Sequence, residues 1–100
     1  MTNDKTEDGN DRSRARTHRD GDRYIVVLDR GWICVGNLTE EEGVCRLSNC
    51  KNLRCWMRNG FGGATLDPKA AEVELDDCAD VIYQRSAEVF RVPISEAWGE

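Results

Sequence analysis

One hundred residues with a formal charge of −5 describe one small acidic domain rather than a basic nucleic-acid binder. No apolar run approaches the ~20 residues that a membrane span requires, and no apolar central stretch marks a secretory leader, so the expected location is the cytoplasm. The charge is unevenly placed: residues 1–23 hold six acids, six bases and no Val, Ile, Leu, Phe, Tyr or Trp, whereas residues 24–100 hold thirteen acids and eight bases.

Residues 1–23 cannot bury enough apolar area to offset their ordering entropy, so they read as a disordered tail before a domain at 24–100. Tyr24–Leu28 is apolar and β-branched and predicts a strand. Asp29-Arg30-Gly31 is a turn, and Trp32–Gly36 a second strand with Trp32 in the core. Glu40-Glu41-Glu42-Gly43 reverses the chain into a third strand, where Val44 and Arg46 face one side and Cys45 and Leu47 the other. Asn52–Met57 fits either an extension of the sheet or a short helix. Arg58–Gly63 reads as a loop, because three of its residues are glycine. Asp67 and Pro68 have the chemistry of a helix N-cap and first position, and any such helix is short because Val73-Glu74-Leu75 alternates like a strand. Ala79–Tyr83 is a strand, Gln84–Ala87 one tight turn, and Glu88–Val92 a last strand stopped by Pro93. Ser95–Trp98 fits one helical turn or a surface segment.

This order predicts a mainly β domain. The expected architecture is a five-stranded antiparallel SH3-like or Sm-like barrel with at most one or two short helices, which buries one face and leaves few free edges. The alternative is an antiparallel sheet backed by one short helix.

No residue pattern points to an enzyme. The single histidine, His18, lies in the tail, and paired carboxylates need a cleft that so small a domain has little room for. Cys34, Cys45, Cys50, Cys55 and Cys78 are odd in number and lack zinc-type spacing, so reduced thiols are expected, with no metal and no cofactor. Gly60-Phe61-Gly62-Gly63 lacks the Gly-Lys-Ser/Thr ending of a phosphate loop. The candidate partner-binding residues are instead acidic and aromatic. Glu40, Glu41 and Glu42 form one cluster and Glu72, Glu74, Asp76, Asp77 and Asp80 a second; together they suit a basic protein surface or mimic nucleic-acid phosphate. Trp56 and Trp98 are the candidate apolar anchors, with Trp98 the better exposed candidate. The tail arginines Arg12, Arg14, Arg16, Arg19 and Arg23 carry the alternative, a small nucleic-acid-binding module.

Gly31–Leu38 followed by Gly43–Cys50 resembles a family of small phage-encoded domains of unknown function, in which a Gly-x-x-x-Val-Gly strand leads to a Gly-x-Val-x-Leu strand and a tryptophan-containing segment. Trp56 falls at that tryptophan, and Ala87–Pro93 is similar to the family's closing strand; Cys50 departs from the usual alanine. The resemblance spans residues 24–93 and implies a phage or mobile-element origin. A small acidic chain of this kind also looks like anti-CRISPR proteins. The likeness implies a non-enzymatic inhibitor of a CRISPR-Cas effector, type I and I-C by preference, acting in the host bacterial cytoplasm by protein–protein contact. A phage structural or assembly subunit is a further alternative.

Overall fold

The computed structural model describes residues 21–100; the tail expected over residues 1–20 lies outside them. Six strands and one helix follow in order: β1 (Arg23–Leu28), β2 (Ile33–Glu41), β3 (Val44–Cys55), α1 (Gly60–Leu66), β4 (Glu74–Asp77), β5 (Val81–Gln84) and β6 (Glu88–Pro93). Residues 21–23, expected as the end of the tail, belong to the fold. Gly21 N–H donates to the Leu38 carbonyl at 2.7 Å, Leu38 N–H donates to Asp22, and Arg23 already belongs to β1.

All pairings are antiparallel, in the order β6–β1–β2–β3. The far edge of β3 is shared: β5 pairs with Val44–Leu47, and β4 with the later stretch from Lys51 to Cys55. The chain then passes from β5 to β6, on opposite edges of the sheet, through a 3-10 turn of only three residues, Arg85–Ala87. So short a link forces the sheet to curl. Val81 and Tyr83 of β5 therefore pack in one cluster with Tyr24, Val26 and Leu28 of β1, although β2 and β3 lie between. The mainly β expectation holds, but the barrel does not close. β5 and β6 make no ladder with each other, and a sixth strand, β4, pairs with the later part of β3.

Two apolar clusters explain why β1 is hydrophobic on both faces. Inside the curl lie Tyr24, Val26, Cys34, Leu38, Cys45, Leu47 and Cys50. On the outer face Ile25, Val35 and Leu53 are covered by Phe61 of α1 and by Trp98. The close approach of β2 to β3 depends on Gly36, because a Cβ there would stand 2.9 Å from the Ser48 carbonyl oxygen.

Several local expectations are overturned by this packing. The glycine-rich stretch is the helix: Phe61 is drawn onto the outer face, and Gly63 fits where a Cβ would lie 2.4 Å from the Asn59 Cβ. Asp67 ends that helix instead of starting one, although its carboxylate still accepts from Ala70 N–H at 3.2 Å in the turn that follows. Of the two alternatives open for Asn52–Met57, extension of the sheet is the one found, with Asn52–Cys55 continuing β3. Trp32 is 61% exposed, because it caps the 3-10 turn Asp29–Gly31 before β2 begins. Among the described residues no helix is long and apolar enough to cross a membrane.

Candidate functional site

The larger acidic cluster is not an open negative surface. β4 lies beside the basic stretch of β3, and its register sets Lys51 opposite Asp77 and Asn52 opposite Asp76. Each carboxylate then meets a cation. Lys51 Nζ lies 2.5 Å from Asp77, and Arg54 holds both Glu74 and Asp76 at 2.9 Å. Arg58 holds Glu72 at 2.6 Å, and Arg46 holds Asp80 at 2.8 Å. The hydrogen bond from Lys51, with its charge, holds the Asp77 carboxyl below its ordinary value, and the same bond raises Lys51. These pairs are exposed, so each contributes little to stability. Their effect is to cancel the field that mimicry of phosphate would need. Glu74 and Asp76 do share one strand, but Glu72 precedes it in a left-handed turn (φ 55°) and is not extended.

The first cluster divides. Glu40 points to the seam of the curled sheet, 3.4 Å from Arg91. Glu41 and Glu42 have no cation partner among the described residues. They stand at the end of the β2–β3 hairpin, where Glu42 (φ 52°) and Gly43 (φ 82°) form a two-residue turn with both residues left-handed. Beside them Val44 and Ile82 are exposed, and Thr39 and Arg46 complete an open depression of about 520 Å3. Carboxylates and uncovered apolar side chains thus share one concave surface.

At the seam between β5 and β6 lies a buried ionic network that sequence reasoning missed. The Glu88 side chain has no exposure and accepts hydrogen bonds from Tyr83 Oη at 2.8 Å and from Arg91 Nε and Nη2 at 2.5 and 2.9 Å. Burial pushes the Glu88 carboxyl up, but the Arg91 and Tyr83 hydrogen bonds outweigh it and leave it below its ordinary value. Arg91 also lies over the Tyr24 ring, 5.8 Å from its centroid. Every oxygen of Glu88 is engaged, so the network clamps the gap that the ladder leaves open. The Glu-x-x-Arg spacing at positions 88–91 was its only mark in the sequence.

Trp98, expected as the exposed anchor, is buried: its Nε1 donates to the Ala64 and Thr65 carbonyls at 3.2 and 3.1 Å, which satisfies the end of α1. Trp56 is half-buried against Phe61, with ring centroids 5.5 Å apart. Phe61 in turn meets Phe90, itself 46% exposed, edge-on at 6.0 Å. Arg12, Arg14, Arg16, Arg19 and His18 lie outside the described residues. Arg23 is a buried sheet residue that donates to Asn37 Oδ1 and the Asn49 carbonyl, so it is not available to phosphate. All five cysteines are free, and among the described residues no group of three His, Cys, Asp or Glu is placed to hold a metal ion.

Comparison with protein-family profiles, with curated proteins and with solved structures finds no match.

Proposed function

We propose that the protein is a non-enzymatic binding module, a phage or mobile-element inhibitor that contacts a host CRISPR-Cas effector through the tip of the β2–β3 hairpin. One observation carries the choice of surface. Of the acids singled out in the sequence, Glu41 and Glu42 alone lack a cation partner among the described residues, and they flank exposed Val44 and Ile82. Unpaired carboxylates beside uncovered apolar groups suit a partner surface of lysines or arginines around an apolar spot. The net charge of −5 adds long-range attraction to such a surface. The effector as target rests on the likeness of a small acidic phage-type chain to anti-CRISPR proteins. The contact is a local one and not an extended imitation of DNA, because the β4 acids are neutralised by β3.

Affinity capture from a host that expresses a type I effector complex tests this reading. Effector subunits are expected with the native chain and not with Glu41→Lys/Glu42→Lys. Reversal of Glu74 and Asp76 is expected to leave capture intact. Recovery of no effector subunit would overturn the target, and capture unaffected by the hairpin substitutions would overturn the surface. Recovery of nucleic acid alone would favour the arginine-rich tail as the binding element.

A further inference from the structure

Three of the five thiols stand in a row across neighbouring segments. Cys34 on β2 and Cys50 on β3 are buried, whereas Cys78, just past the end of β4, is exposed. The β3–β4 ladder pairs Lys51 with Asp77, so one further step in the same register sets Cys50 directly opposite Cys78. The backbone keeps that pairing beyond the strand end, because Cys78 N–H donates to the Cys50 carbonyl at 3.2 Å. Directly opposed residues have Cα atoms about 4.5–5.5 Å apart, inside the roughly 4.4–6.8 Å that a disulfide spans.

Cys34 is placed differently. Its ladder partner is Asn52, so Cys50 is its diagonal neighbour. Diagonal separations of about 7–8 Å exceed what a disulfide bridges without backbone movement. Cys50 and Cys78 also line an open groove of about 570 Å3 with Arg23, Lys51 and Glu96, through which a small reagent reaches the exposed Cys78 sulfur.

We propose that Cys50 and Cys78 form a thiol–disulfide exchange site whose co-substrate is a low-molecular-weight disulfide of the glutathione disulfide class. Cys78, as thiolate, attacks one sulfur of the reagent; a mixed disulfide forms and the first reagent thiol leaves. Cys50 then attacks the Cys78 sulfur, and the second reagent thiolate departs and takes up a proton. Two protein thiols lose two electrons and two protons, and one disulfide becomes two thiols. The new bond ties the β4–β5 connector to β3 along one wall of the groove.

The test exposes the full chain to glutathione disulfide, alkylates remaining thiols after unfolding, and maps the products by mass spectrometry. Two of the five thiols are expected to be lost, with a Cys50–Cys78 cross-link and no retained glutathione. Cys50→Ser is expected to trap glutathione on Cys78, and Cys78→Ser to abolish reaction. Cys34→Ser and Cys55→Ser are each expected to leave the Cys50–Cys78 cross-link in place. A stable adduct on Cys78 in the native chain, a cross-link through Cys34 or Cys55, or no thiol loss would overturn the proposal.

Discussion

The buried clamp at the seam gives the most demanding prediction. Glu88→Gln keeps the side-chain volume but removes the charge and turns an amide donor toward a guanidinium. Arg91, whose side chain is 12% exposed, is then left with Glu40 at 3.4 Å as its remaining carboxylate. Removing one partner of a buried ion pair costs about 3–5 kcal/mol, because the other charge stays desolvated. The surviving Glu40 contact places the expected loss near the lower end, about 3 kcal/mol. A domain of this size holds roughly 5–15 kcal/mol in total, so the change removes a large share of its stability. Urea unfolding followed by tryptophan fluorescence measures it. Tyr83→Phe removes a hydrogen bond to the same carboxylate and is expected to be non-additive with Glu88→Gln. The pH dependence has a definite sign. The Glu88 carboxyl is held below its ordinary 4.5 in the folded chain, so its contribution is present above that pH and is lost as pH falls through the folded value. The variant is expected to lose that part of the acid limb. A loss below about 1 kcal/mol, or strict additivity with Tyr83→Phe, would refute the view that this network holds the open edges together.

Three further outcomes follow from packing and backbone geometry. Gly36→Ala puts a Cβ 2.9 Å from the Ser48 carbonyl oxygen, and overpacking at a buried strand contact is expected to cost about 1–3 kcal/mol in the same unfolding assay. Trp98→Phe retains most of the apolar cover over Leu53 but strips two carbonyls of their donor; a loss of about 1–2 kcal/mol is expected, with faster amide exchange in α1. Glu42→Asn suits the left-handed turn better and is expected to raise stability by about 0.5–1 kcal/mol while weakening partner capture. Loss of both together would show that Glu42 serves the fold and not the contact.

Much of the domain was legible along the chain. The apolar, β-branched run at Tyr24–Leu28, the tight turn after Gln84 and the proline stop at Pro93 report local backbone and burial preferences, and each appears where those preferences put it. Charge partners were not legible, because Lys51 and Asp77 are far apart in sequence and meet only through the β3–β4 register. The same holds for Cys50 and Cys78, whose common register position is invisible until β4 is placed. Trp98 looked like a free aromatic near the chain end, yet α1 offered its terminal carbonyls to the indole. The glycine stretch became helical because Phe61 could cover the outer face, a tertiary gain that outweighs poor local propensity.

Local chemistry along the sequence therefore determined the strands, the turns and the acidic excess, since these depend on neighbours a few residues apart. The curl of the sheet, the cancelling of one acidic cluster, the exposure of the other and the row of thiols were decided only by the tertiary structure. They depend on pairs of residues brought together by strand register and by one three-residue crossing, and chain-local preferences carry no information about such pairs.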